Sequence, residues 1–175
     1  LCRRRGVDLV IDAAQSLGSL PIYPKKFQIS AIASSGWKWL LGPIGTGILY
    51  TAPEFRSKLR PTMGGPELMQ QGSDYLNLNW NPHPTGRMFE YSTPALALAE
   101  GLGAAIEELF IPNSSEQIRN RIFALKELFL DHLDLTGATP VNFPLQHQSG
   151  IQSMITKKDP ALLCDDLYKD GFIFS

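Results

Sequence analysis

A continuous apolar run, VDLVI at residues 7–11, has the pattern of a strand buried on both faces of a parallel sheet. AIASS (31–35) predicts a second strand and TGILY (46–50) a third, with the turn-forming GPIGTG leading into the last. TAPEFRSKL then predicts a helix, capped by Thr51 with Pro53 in its first turn. Residues 61–93 lose their period and fill with Gly, Pro, Asn and Gln, the kind of long irregular stretch that serves function or moves. In STPALALAEGLGAAIEELF the helical period returns. Ser92 or Thr93 caps this element, and Leu96, Leu98, Leu102, Ala105, Ile106 and Leu109 supply its apolar face. SSEQIRNRIFALKELFLDHLDL predicts a more amphipathic helix, with Ser114 and Gln117 spaced as a capping box. Beyond the Gly/Pro joint TGATPVNFP come a strand, GIQSMIT, a helix, DPALLCDDLYKDG, and a closing strand, FIF.

Strands alternating with helices predict an α/β protein. The joint at 136–148 is the natural boundary, which gives a larger domain over 1–135 and the beginning of a smaller one over 136–175. The chain opens on a basic turn leading straight into a strand and closes on an apolar run with nothing to cover it. We therefore expect a piece of a longer protein.

Composition narrows the function classes. A formal net charge of -1 offers nucleic acid no electrostatic handle, and Arg3, Arg4 and Arg5 read as a solvated helix end. No apolar run reaches the ~18 residues of a membrane span. The two cysteines, Cys2 and Cys164, have neither metal-ligand nor disulfide spacing, so a cytoplasmic setting is expected.

The chemistry gathers in two segments. Asp12 ends one strand, and SSGWKWLLGPIGTGILY (34–50) places Lys38 between Trp37 and Trp39 just beyond another. In an open parallel sheet the carboxyl ends of the strands line the ligand crevice. If the two strands are close, Asp12, Gln15, Ser35 and Lys38 converge there. A carboxylate, an amide, a hydroxyl and an amine suit pyridoxal phosphate: the amine for covalent attachment, the carboxylate for the pyridine nitrogen, the amide for the ring oxygen, the hydroxyl for the phosphate. On spacing alone a helix-capping Asp, a turn Ser and a solvated Lys remain open readings.

IDAAQSLGSLPI followed by SSGWKWLLGPIGTGILY resembles the class V aminotransferase family of pyridoxal-phosphate enzymes. That family includes cysteine desulfurases, cyst(e)ine lyases and isopenicillin-N-epimerase-like proteins. Its pattern is D-x-A-Q, then S-G-H-K-x-x-G-P-x-G-x-G-x-L-Y. RMFEYSTPALALAEGLGAAIEEL resembles the family's R-x-E-x-G-T-P helix, and GIQSMIT with DPALLCDDLYKDGFIFS resembles the start of its small domain. The resemblance implies fold type I: a mostly parallel sheet between helices, a small C-terminal α+β domain, and a homodimer. It implies that Lys38 is the Schiff-base lysine, Asp12 the pyridine-nitrogen partner, Gln15 the ring-oxygen contact and Ser35 a phosphate ligand. Trp37 stands where the pattern has His, and an indole offers the phosphate only a single N–H.

The implied activity is cleavage of a C–S bond in a cysteine or cystine substrate, by lyase or desulfurase chemistry. Epimerase or aminotransferase chemistry, or a non-catalytic remnant of the fold, are the alternatives. The family's phosphate loop and ring-stacking residue are expected before Leu1. Its substrate-carboxylate arginine and desulfurase cysteine are expected after Ser175, so the piece alone is expected to be inactive. Cys164 matches no catalytic position. Arg87 reads as an ion-pair partner of Glu90 or a loop anchor, His83 as an exposed loop residue, and neither a metal nor a membrane partner is expected.

Overall fold

The computed structural model describes residues 1–134 and 136–174, which form two compact units, Leu1–Ile118 and Arg119–Ser175. The first unit is built on three strands in the order β1 (Val10–Asp12), β2 (Ala31–Ser35), β3 (Gly47–Thr51). β1 runs parallel to β2, reached through the short helix α1 (Pro24–Phe27), and β3 returns antiparallel to β2. Ile11, Ile32 and Tyr50 lie side by side in register on one face. Ile11 and Tyr50 pack with Leu9, Leu17 and Ile22 around the buried Ala13, Ile29 and Ile32.

The opposite face is covered only in part: Ala31 and Thr51 on it are buried. Val10 is 60% exposed and Leu49 54%, both on the opposite face, so β1 is not the strand buried on both sides that its apolar run predicted. Alternation of facing sets Val10 and Asp12 on the side opposite Ile11, and there both are exposed. β1 also begins three residues later than VDLVI suggested, because its ladder starts where Val10 meets Ala31.

β2 has its predicted bounds. Thr51 is not the helix cap expected of it but the last residue of β3, paired with Ala31, and α2 (Pro53–Arg56) starts instead from Ala52. Residues 61–93 are irregular apart from two tight turns, Pro66–Leu68 and Gly86–Phe89, and a bridge between Met69 and Pro82. α3 (Leu96–Ala105) begins after the expected caps: Ala95 precedes it, and neither Ser92 nor Thr93 reaches its first turn. A π turn, Ile106–Phe110, prolongs it.

α4 (Ser115–His132) starts with the predicted capping box. The Ser114 hydroxyl accepts from the Gln117 N–H at 3.2 Å, and the Gln117 carboxamide oxygen accepts from the Ser114 N–H at 2.8 Å. The change from first to second unit falls inside this helix, upstream of the Gly/Pro joint, and in the second unit Lys126 of α4 donates to the Ser149 carbonyl at 3.2 Å. There β4 (Ala138–Pro140) and β5 (Met154–Thr156) pair antiparallel. α5 (Pro160–Lys169) is capped by Asp159, whose carboxylate accepts from the Ala161 and Leu162 N–H groups. The expected closing strand does not form: residues 172–174 find no hydrogen-bonded partner strand among the described residues.

Candidate cofactor site

The carboxyl ends of β1 and β2 are knitted together just past their ladder. The Ala13 N–H donates to the Ala33 carbonyl at 2.7 Å, and the buried Ser34 hydroxyl donates to the Ala13 carbonyl at 3.2 Å. This register sets Asp12 beside Ala33 and leaves Ser35 one strand-repeat further on, on the same face. Asp12, Ala33, Ser35, Gly47 and Leu49 line one open depression of about 540 Å³.

Asp12 performs the modest role foreseen for a strand-end carboxylate and keeps capacity for another. One oxygen accepts the Ala14 N–H at 3.0 Å, and the other has no protein donor among the described residues. The Ser35 hydroxyl oxygen is buried and has no hydrogen-bond partner. A buried hydroxyl left unpaired costs free energy, so a polar atom in that state marks a place where a ligand group fits.

From Ser35 the chain enters a tight loop back to β3. The Gly36 N–H donates to the Thr46 carbonyl at 2.8 Å, and the Gly42 N–H donates to the Gly36 carbonyl at 2.8 Å. A Cβ on Gly36 would stand 2.9 Å from Thr46 Cβ, so only glycine fits there. Between Lys38 and Gly42 stand Trp39, Leu40 and Leu41, one residue more than the family spacing, and Leu41 adopts φ 56. Left-handed backbone at a non-glycine residue is strained and gathers at functional loops. The buried Leu40 anchors the loop to the protein.

Lys38 is half-buried, and its ammonium lies 5.4 Å from the centre of the Trp37 ring, in cation–π contact. Trp37, 48% exposed, thus meets the lysine with its face. Gln15 is tied to this loop: its carboxamide oxygen accepts from the Trp39 indole N–H at 3.2 Å. Of the five residues singled out from sequence, Asp12 and Ser35 share the depression, Gln15 is bonded to the lysine loop, and Lys38 is bonded to neither of the first two but stacks on Trp37. Sequence reasoning missed Trp39 as a polar participant. The signal was present, since an indole N–H in a half-buried loop needs an acceptor and Gln15 is the amide at the neighbouring strand end.

The remaining candidates are plainer. Arg87 meets Glu90 at 3.9 Å across an exposed turn, the ion pair expected of it. His83 is held through its backbone, which donates to the Leu68 carbonyl at 2.8 Å. A cavity of about 590 Å³ surrounds the Asp8–Lys58 pair, but it lies at the opposite end of β1 from Asp12. Lys58 donates to Asp8 at 3.0 Å and holds that carboxyl below its ordinary range, with Ser30 adding a further donor. No cluster of three or more His, Cys, Asp or Glu fit to hold a metal occurs among the described residues. Nor is any helix there long and apolar enough to cross a membrane.

The family described as aminotransferase class-V matches residues 1–168. A probable cysteine desulfurase of Pyrococcus abyssi is 31% identical over 157 residues, 87% of this chain and 37% of that protein. One of Streptomyces coelicolor is 36% identical over 104 residues, 59% of this chain and 24% of that protein. The chain thus covers 37% of the length of the first relative and 24% of the second. Among solved structures, a cystine C-S lyase in complex with its reaction product cysteine persulfide superposes with a TM-score of 0.86 at 24% identity, over 99% of this chain and 47% of that one. The apo cysteine desulfurase of Thermococcus onnurineus gives 0.79 at 24% identity, over 98% and 42%. These two likenesses show that the α/β architecture is that of the fold type I enzymes.

Proposed function

Since this chain belongs to the class V aminotransferase family, we propose that it is the lysine-bearing part of a pyridoxal 5'-phosphate enzyme acting at the carbon–sulfur bond of cysteine or cystine. Its relatives named as cysteine desulfurases support the substrate class, and the structural likeness to a cystine C-S lyase agrees with it. The observation that carries the cofactor reading is the buried, unpaired Ser35 hydroxyl beside Asp12 at the carboxyl ends of two parallel strands. Residues 1–135 are then the C-terminal part of the cofactor-binding large domain and 136–175 the beginning of the small domain. The complete enzyme is a cytoplasmic homodimer, as the family resemblance implies.

When bound, pyridoxal phosphate supplies an electron sink for charge developing at the substrate α-carbon. Lys38 Nζ would hold it covalently, and the same amine, when free, would take the α-proton of the substrate. The Lys38 ammonium stacks on the Trp37 ring and has no carboxylate partner among the described residues, so no ion pair holds it away from a ligand. The second oxygen of Asp12, which the Ala14 N–H leaves free, would accept the pyridine N–H and keep the ring nitrogen protonated. Ser35 donates its unpaired hydroxyl to the phosphate, and Trp37 can add its indole N–H in place of the family's histidine. Gln15 would donate its carboxamide N–H to the ring oxygen.

The test uses the full-length protein, titrated with pyridoxal phosphate and then given cysteine. Stoichiometric cofactor uptake that disappears in Lys38→Ala is the expected result, with sulfur released from the substrate. Alanine as co-product identifies a desulfurase, pyruvate and ammonia a lyase; a racemised or transaminated substrate shifts the assignment to epimerase or aminotransferase. Uptake and turnover unchanged in Lys38→Ala overturn the reading.

A further inference from the structure

We infer that Trp39 is a positioning residue that sets which end of the Gln15 carboxamide faces the cofactor. This rests on the cofactor reading above and adds to it a residue outside the five that reading uses. An indole N–H is only a donor. It can therefore face the oxygen of a carboxamide and not its NH2, and the 3.2 Å contact from Trp39 Nε1 engages Gln15 Oε1. The other end of the same amide, Nε2, has no protein acceptor among the described residues. With the oxygen taken, Gln15 has one thing left to offer a ligand: two N–H donors. A ring oxygen bearing negative charge is the partner such donors fit.

Both sides of this contact are held in place. The Gln15 carbonyl accepts from the hydroxyl of the fully buried Ser19 at 3.3 Å, which fixes the turn after β1. That turn lies directly against the lysine loop, where a Cβ added to Gly18 would stand 2.7 Å from the Trp39 carbonyl carbon. Gly18 adopts φ 101, so the close approach and the backbone geometry both require glycine. The buried Leu40 holds the following position of the loop. Trp39 thus presents its N–H from a braced backbone, one residue beyond Lys38. The attachment point and the orientation of the ring-oxygen donor are set by the same short segment.

The experiment compares cofactor dissociation constants and the absorbance maximum of the bound cofactor in full-length wild type, Trp39→Phe, Gln15→Ala and the double variant. Trp39→Phe keeps the ring and removes only the N–H. Affinity falls about three- to tenfold, the worth of one net hydrogen bond, and the absorbance maximum moves in the same direction as in Gln15→Ala. On the Gln15→Ala background, Trp39→Phe adds nothing, because the two act through one contact. Losses that multiply in the double variant overturn the inference, as does a Trp39→Phe indistinguishable from wild type.

Gln15→Glu reads the same orientation without disturbing the loop. It keeps an acceptor for Trp39 and sets an unprotonated oxygen where the NH2 stood, so affinity drops below that of Gln15→Ala. Wild-type affinity in Gln15→Glu overturns the inference. A wild-type protein that takes up no cofactor overturns the functional reading itself, a result distinct from intact wild-type uptake with silent variants.

Discussion

The Ser34 hydroxyl donates to the Ala13 carbonyl at 3.2 Å, and through this contact the ends of two parallel strands share one site. The adjacent Ser35 is its counterpart. Ser34 spends its hydroxyl on the protein, whereas the buried hydroxyl of Ser35 bonds to nothing in it. Neighbouring serines with opposite facing thus divide the work between fold and ligand.

That division predicts opposite outcomes for two alanine substitutions. Ser34→Ala removes the side-chain hydrogen bond that ties β2 to the Ala13 carbonyl, which keeps the Ser16 and Leu17 N–H donors, and lowers unfolding stability by about 0.5–1.5 kcal/mol. Ser35→Ala removes an unpaired polar atom and leaves stability within about 0.5 kcal/mol of wild type or above it, while weakening phosphate binding. Urea unfolding of the cofactor-free protein, followed by pyridoxal phosphate titration, separates the two.

The lysine loop carries strain at one position and a tight contact at another. Gly36→Ala drives a methyl into Thr46, and we expect a loss of about 1–3 kcal/mol from overpacking. Leu41→Gly relieves the φ 56 backbone at a residue that is 65% exposed and so has little burial to lose. The relief of about 1–2 kcal/mol outweighs the extra chain entropy of glycine, for a net gain of roughly 0.5–1 kcal/mol. Thermal melts of both variants check the signs.

Acid stability follows from Asp8. Its carboxyl is held below the ordinary value of 3.8 by the hydrogen bond from Lys58 and then by that from Ser30. A group whose folded pKa is depressed stabilises the fold above its unfolded value and loses that contribution as pH falls through the folded one. In Lys58→Met the melting temperature should therefore fall less steeply below pH 3.8 than in wild type. Salt should shrink the difference, because the pair is exposed. Parallel acid limbs in the two proteins would contradict this.

The second unit offers a test of its own cap. Asp159→Ala removes the acceptor of the Ala161 and Leu162 N–H groups and should cost about 1 kcal/mol. Asp159→Asn should recover most of it. Circular dichroism during thermal unfolding measures the loss in α5.

Some elements were legible because local chemistry alone specifies them. The Ser114–Gln117 box needs only a hydroxyl and an amide three residues apart, and it forms as expected. β2 has its predicted bounds because AIASS is hydrogen-bonded on both edges, which fixes where a strand starts and stops. Other elements depend on partners. Thr51 looked like a cap, yet Ala31 across the ladder claims it for β3. Val10 looked like core, yet it stands exposed on the face opposite Ile11. FIF looked like a strand, and among the described residues it finds no neighbour to bond.

The sequence by itself determined the chemistry on offer: an amine, a carboxylate, an amide and a hydroxyl at the ends of two predicted strands, in a spacing that resembles one family. Tertiary structure alone decided how those groups are disposed. The register of β1 on β2 sets Asp12 and Ser35 over one depression, and the Gly18–Trp39 approach brings an indole N–H to Gln15. A residue type limits which bonds a side chain can make. Which of them it makes depends on the direction and distance of partners far along the chain, and only the folded backbone supplies those.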